Sequence, residues 1–270
     1  MDRLCCIFNY APHYREEIYI KMGENLNCDF YFGNKTSKSI KKLDYSKLLG
    51  YQKELEYSSM LGGGYRLKGA RALLNKEYSK YLLTGDYACV SVWIILIWGK
   101  LTGKKIYLWS HAWYGNEKGV RKYVKKIFFN MAKGVFLYGN YARDLMIKEG
   151  FNGEKLHVIY NSLYYEKSLK IREELKEVEV YSNYFKNQNP NLIFIGRLLE
   201  NKKLDLLIEA QKRYEKKYSS AFNLVFIGDG ESKEALEKLG QGRPSIWFYG
   251  AGYEEETMGE LLYKADLSVP

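Results

Sequence analysis

The stretch from Asn191 to Ala210, NLIFIGRLLENKKLDLLIEA, constrains the fold more than any other part of the chain. Leu192 to Ile195 is a short apolar run of the kind that forms a strand buried on both faces. Gly196-Arg197 ends the run, a short loop carries Lys202 and Lys203, and Leu204, Leu207 and Ile208 open a helix with i, i+3, i+4 spacing. A strand that enters a helix through a glycine and cations suits phosphate. The glycine lets backbone come close, the helix start offers free N–H groups, and the cations match the charge. An ordinary βα turn with solvated lysines fits this stretch equally well.

The residues that follow repeat the unit. Asn223 to Ile227 is a second apolar strand, closed by Gly228-Asp229-Gly230 and followed by the helix-forming ESKEALEKL. Ile246 to Gly250 is a third strand, followed by the helix-like EEETMGELLYKAD and a fourth strand at Leu267. The order Gly196-Arg197-Leu198, Lys202, Gly228-Asp229-Gly230, Gly250 and Ala265-Asp266 resembles the donor-binding domain of the family 4 glycosyltransferases of GT-B fold, the retaining glycosyl transferases group 1.

That resemblance implies an α/β protein of two Rossmann-like domains facing a cleft. The implied activity is that of a hexosyltransferase-like enzyme moving a sugar from a sugar nucleotide to a glycan or lipid-linked acceptor, as in bacterial surface polysaccharide synthesis. Arg197 and Lys202 then neutralise the diphosphate that departs as the sugar–phosphate bond breaks, the main catalytic device expected. Gly196, Gly228, Gly230 and Gly250 let the chain pass close to the nucleotide, while Asp229 either bonds a hydroxyl or caps the next helix. The donor is a substrate, and no cofactor or metal is expected, since no His/Asp/Glu cluster has ligand spacing. Members of the family continue past Leu267-Ser268-Val269-Pro270 into a glycine-rich loop and a pair of glutamates that hold the sugar and ribose. The resemblance therefore implies a C-terminally incomplete sequence, with a fragment or a nucleotide-binding relative without transferase activity as the alternative.

The N-terminal half reads as a second parallel sheet. Leu4 to Phe8 and Cys28 to Phe32 are strands flanking a helix that His13-Tyr14-Arg15 opens and that runs to about Leu26. His13 and Arg15 sit where open α/β sheets bind ligands, although a solvated helix start explains them as well. Residues 35–61 show weak periodicity. Gly62-Gly63-Gly64 follows no buried strand and marks a loop before the helix-like YRLKGARALLNKEY, and Tyr87 to Gly99 fits a buried helix.

Lys105 to Trp109 is a strand that delivers Ser110-His111-Ala112-Trp113-Tyr114. A His just past a strand end, beside aromatics that can stack on sugar faces, is the leading candidate for an acceptor-side catalytic residue. A His bonded within its own loop is the bland alternative. In the family a His after the corresponding strand faces the sugar, which favours His111. Lys118 to Lys133 is a basic amphipathic helix, suited either to an anionic membrane surface or to covering a sheet with its lysines in water. Strands at Val135 and Lys155 flank a helix from Asn140 to Glu149, with Gly150 as its left-handed cap. The expected organisation is an acceptor-side domain at 1–165, a linker at 166–190, and a partial sugar-nucleotide domain at 191–270.

Charge and cysteine usage narrow the class. Forty-two basic against 32 acidic residues leave +10, which favours anionic partners. A nucleic-acid-binding module would use that charge, but no such motif is present and the tyrosines are dispersed through apolar elements. A nucleotide-linked oxidoreductase would need G-x-G-x-x-G after a strand, and there is none. Cys5, Cys6, Cys28 and Cys89 lack C-x-x-C spacing and suit a reducing compartment. With no signal peptide and no apolar run near the roughly twenty residues a bilayer needs, the expectation is a cytoplasmic protein, peripheral on the inner face of the membrane at most.

Overall fold

The computed structural model describes residues 3–34, 40–75, 78–161, 165–175, 180–252 and 254–269. The chain divides into two compact units, Met1–Leu163 and Tyr164–Pro270. The first holds strands β1 (Leu4–Phe8), β2 (Cys28–Gly33), β3 (Tyr51–Ser59), β4 (Tyr65–Lys68), β5 (Lys80–Thr84), β6 (Lys105–Ser110), β7 (Gly134–Leu137) and β8 (Leu156–Val158). Its helices are α1 (Glu16–Leu26), α2 (Val90–Thr102), α3 (Gly119–Met131) and α4 (Asn140–Lys148). The strands lie in the order β4-β3-β2-β1-β5-β6-β7-β8, parallel except for the antiparallel β3–β4 pair.

The chain starts in mid-sheet and adds β2 to β4 on one side, then returns to add β5 to β8 on the other. The switch point lies between β1 and β5, where open α/β sheets form their crevice. β1 and β2 are buried along nearly their whole length, as an apolar parallel pair requires. One core lies on the side of Tyr81, Leu83, Ile95, Leu108 and Phe128, and the other gathers Phe8, Tyr19, Phe30, Phe32 and Trp109.

The second unit opens with α5 (Tyr165–Glu174) and α6 (Val180–Phe185), which occupy much of the stretch read as a linker; residues 176–179 of that stretch lie outside the described residues. Tyr181 and Phe185 of α6 are buried with Ile193, Val225, Ile227 and Leu261, and the Tyr181 hydroxyl donates to the Leu261 carbonyl. Then come β9 (Asn191–Ile195), α7 (Leu204–Tyr218), β10 (Asn223–Ile227), α8 (Lys233–Gly240), β11 (Ile246–Gly250), α9 (Glu255–Tyr263) and β12 (Leu267–Val269). Their four strands form one parallel sheet in the order β11-β10-β9-β12.

Two expectations are corrected. Residues 65–78 do not open as a helix: Tyr65 and Leu67 are buried while Arg66 and Lys68 are exposed, a period of two that makes β4 and pairs it with β3. Gly69, at φ 88°, then ends the strand before a 3-10 turn at Ala70–Asn75. The helix α2 is not buried all round. Its sheet-facing side packs Val92, Ile95 and Leu96, while Val90, Ile94, Ile97 and Leu101 are exposed. The triple glycine is the turn joining β3 to β4, with Gly62 and Gly63 at φ 79° and 80° and the Met60 N–H bonded to the Gly64 carbonyl at 2.8 Å.

One buried ion pair fixes the loop after β6. Lys125 of α3 and Glu117 are both buried, and the ammonium bonds the carboxylate directly. The same carboxylate accepts the backbone N–H groups of Tyr114 at 3.1 Å and Gly115 at 3.0 Å. Burial alone would raise the Glu117 pKa, but Lys125 and the Tyr114 N–H outweigh it and hold the group below its usual value. The ammonium also lies 5.1 Å from the Trp113 ring and 5.4 Å from the Tyr114 ring. Lys125→Met should therefore cost about 3–5 kcal/mol, because it strands a buried carboxylate. Denaturant unfolding of the first unit should show that loss, and Glu117→Gln added to Lys125→Met should recover part of it. Because the folded pKa of Glu117 is depressed, its contribution is complete above the unfolded carboxylate pKa and disappears as pH falls through the folded one.

Candidate functional site

In the second unit the strand-end loops of β9, β10 and β11 are locked together by backbone alone. The Gly196 N–H bonds the Ile227 carbonyl at 2.9 Å, Leu198 N–H bonds Asp229 at 3.0 Å, and Gly228 N–H bonds Gly250 at 2.8 Å. Gly228 has φ 147°, and a Cβ there would fall on the Gly196 carbonyl oxygen. A Cβ on Gly230 would meet the Leu198 carbonyl in the same way. These two glycines are therefore required by the crossing of the β9 and β10 loops. Gly250, at φ 89°, has open space around it and is held by conformation alone.

Gly196, Arg197, Gly228, Asp229, Gly230 and Gly250 are thus brought together at the carboxyl end of one sheet. Asp229 turns its carboxylate onto the Gly230 N–H at 2.8 Å, a local turn contact. Arg197 is exposed directly after β9, and Lys202 is exposed at the end of a 3-10 turn, Glu200–Lys202, before α7. No carboxylate pairs with either cation among the described residues, whereas the neighbouring Lys203 lies 3.8 Å from Glu200. Two unneutralised cations beside glycine-tight loops form a surface able to take a polyanion.

In the first unit the crevice at the switch point is polar and ordered. The Asn9 N–H donates to the Thr84 hydroxyl at 3.2 Å, tying the ends of β1 and β5 together. The Ser110 hydroxyl donates to the Gly85 carbonyl at 2.7 Å and accepts the Ala112 N–H at 3.0 Å. A Cβ on Gly85 would stand 2.7 Å from Ser110 Cβ, so only glycine permits this contact. Ala112 is buried in a left-handed conformation at φ 53°, an uncommon state for alanine that aims the loop after His111.

His111 is solvent-accessible, and its ring centroid lies 4.2 Å from that of Tyr138. Arg15 donates to the Tyr138 hydroxyl and lies 4.9 Å from the Trp109 ring. Arg15, His111 and Tyr138 therefore form one cluster at the ends of β6 and β7, while His13 turns away to bond the Lys41 carbonyl at 3.1 Å. Tyr138 was not singled out in the sequence, although it follows a strand end just as His111 does. Partial burial and the Arg15 charge lower the His111 pKa below its ordinary value of 6.5, so the imidazole is neutral near pH 7. Among the described residues, no group of three or more His, Cys, Asp or Glu side chains is placed to hold a metal ion.

Two sheets of this kind, mostly parallel and Rossmann-like, place the chain in the GT-B fold class of glycosyltransferases and epimerases. It is similar to the lipopolysaccharide outer core galactosyltransferase WaaB, with a TM-score of 0.56 and 15% identity over 93% of this chain and 68% of that one. It is similar to the Anabaena protein HepE in complex with UDP, with a TM-score of 0.63 and 15% identity over 99% of this chain and 73% of that one. The UDP-GlcNAc 2-epimerase of Methanocaldococcus jannaschii gives a TM-score of 0.61 and 14% identity over 98% and 77%. At these identities the likeness is one of fold.

Residues 189–269 match the family model described as Glycosyl transferases group 1. An uncharacterized glycosyltransferase of Methanocaldococcus jannaschii is 29% identical over 144 residues, covering 53% of this chain. The matched segment spans only 36% of that relative's length.

The cluster in the first unit gives a direct test. Burial and the Arg15 charge both lower the His111 pKa, and Arg15→Gln removes the second of these causes. The His111 pKa should rise toward 6.5 in an NMR titration of the variant. An unchanged value would separate Arg15 from the imidazole.

Proposed function

We propose that the protein is a retaining, metal-independent glycosyltransferase that moves a sugar from a sugar nucleotide to a glycan or lipid-linked acceptor. The second unit takes the donor and the strand ends of the first take the acceptor. The observation that carries this reading is the pair of unneutralised cations, Arg197 and Lys202, on the glycine-tight loops of a domain matching the glycosyl transferases group 1. Those cations meet the diphosphate and stabilise the charge that grows on it as the glycosidic bond to phosphate breaks. HepE, which shares the fold, is in complex with UDP, and this supports a uridine nucleotide as donor.

On the acceptor side, neutral His111 can accept a hydroxyl hydrogen bond while Tyr138 and Tyr114 offer aromatic surface to a sugar ring. A role in bacterial surface polysaccharide synthesis, on the inner face of a membrane, fits an acceptor of this kind. An epimerase shares the fold, but the matched family is one of transferases.

Arg197→Ala should weaken UDP-sugar binding about tenfold or more, since a charge-assisted contact contributes about 1.5–3 kcal/mol. Calorimetry with a panel of sugar nucleotides measures this, and unchanged affinity in a folded variant would remove Arg197 from the donor site. His111→Ala should instead lower turnover with little change in donor affinity. Equal turnover in variant and parent would leave His111 as a loop residue only.

A further inference from the structure

Arg15 carries a charge that the first unit does not balance. It is half-buried, with its guanidinium 4.9 Å from the centre of the Trp109 ring and 5.3 Å from that of Tyr138, and it donates to the Tyr138 hydroxyl. Glu16 and Glu17 follow it directly in sequence, yet among the described residues no carboxylate forms an ion pair with it. His111, the remaining member of the cluster, is neutral near pH 7 and supplies no counter-charge.

The backbone adds to the imbalance. Arg15 is the N-cap of α1, where the positive end of the helix disfavours a cation. A second helix, α4, starts two residues after Tyr138 behind Gly139, and no side chain caps it. Two buried groups among the same aromatic rings, the Tyr19 hydroxyl and the Trp109 indole N–H, have no hydrogen-bond partner. A guanidinium partly withdrawn from water, in a place that repels it, is stabilised by an opposite charge more than an exposed one is. The chain brings no such charge, so the ligand does.

We infer that the acceptor carries an oxyanion, a carboxylate or a phosphate ester, and that Arg15 binds it beside the hydroxyl that receives the sugar. This rests on the acceptor reading above and names the acceptor's chemical class. Tyr138 touches both functions: the His111 ring lies 4.2 Å from its own and meets the hydroxyl, while the guanidinium bonded to its phenol meets the charge. A neutral sugar would leave the guanidinium without a partner, and a site of that kind discriminates against the analogue that lacks the matching group.

The full chain is titrated calorimetrically with methyl glucuronide, glucose 6-phosphate and methyl glucoside while NMR follows the His111 ring. An Arg197→Ala background is used so that anions held by the donor loops do not contribute. At least one of the two anions should bind about tenfold or more tightly than the neutral glycoside, the difference being one charge-assisted contact. The tighter of the two identifies the oxyanion as carboxylate or phosphate. Its binding should raise the His111 pKa, because it cancels the Arg15 charge that lowers it. Arg15→Gln should erase the preference, and Arg15→Lys, which keeps the charge, should retain part of it. No donor is present, so this result stands whether or not sugar transfer is observed. Equal affinity for all three ligands, binding of none, or a preference that survives Arg15→Gln would overturn the inference and leave the transferase reading untouched. A fall in UDP affinity in the single Arg15→Gln variant would assign the guanidinium to the donor and overturn it as well.

Discussion

Parallel strands deliver every outgoing loop to the same end of a sheet, and those loops must satisfy their own backbone groups there. In the second unit the solution is backbone to backbone between the loops, and the one side chain involved, Asp229, bonds within its own loop. The β9 and β10 loops cross so closely that Gly228 and Gly230 have no room for a Cβ, and the N–H groups of Gly196, Leu198 and Ser232 donate to the carbonyls of Ile227, Asp229 and Leu198 in turn. A consequence for chemistry follows. Because the loops hold themselves, Arg197 and Lys202 are released from structural duty and stay unpaired. A cation already neutralised by a neighbouring carboxylate would have to break that pair before it could meet a phosphate.

The first unit meets the same constraint with side chains. Asn9 and Thr84 join β1 to β5, Ser110 joins the β6 loop to Gly85, and Glu117 gathers two backbone N–H groups of the next loop. Here the rigid part is polar, and it surrounds the place where Arg15, Tyr138 and His111 converge. The positive φ of Ala112 belongs to this arrangement, since the residue is buried and its N–H is held by Ser110. Strain of that sort persists only where neighbouring contacts determine it.

What could be read in the sequence follows from how local the cause is. Strands such as Leu4–Phe8, Asn191–Ile195 and Asn223–Ile227 are visible because burial on both faces leaves an unbroken apolar run. The β3–β4 pair was not, because β3 buries Leu55 alone and β4 has only four residues whose pattern appears once its partner is known. The glycines of the β9 and β10 loops were legible as a set, but their reason was not: a Cβ clash with Gly196 or Leu198 joins residues about thirty apart. Tyr138 was missed although it lies after a strand end, since tyrosines are common in this chain and its meaning depends on Arg15 and His111 arriving beside it.

The lysines of α3 show why composition alone could not settle what that helix does. Lys125 is buried and neutralises Glu117; Lys122 pairs with the Glu149 carboxylate at 2.7 Å, and Lys126 donates to the Glu149 carbonyl. Those three cations are internal: they tie α3 to the loop after β6 and to the end of α4. Lys118 and Arg121 face water at the start of the helix, beside Val120 and Tyr123. A periodicity plot gives all five the same weight, yet Lys118 has no ion pair among the described residues and Arg121 lies over the Tyr87 ring at 5.4 Å, so these two keep charge that no carboxylate neutralises. Coulomb attraction between exposed charges fades over about a Debye length, roughly 8–10 Å. The local balance of this helix face therefore decides what it can meet, and the excess of basic residues over the whole chain does not.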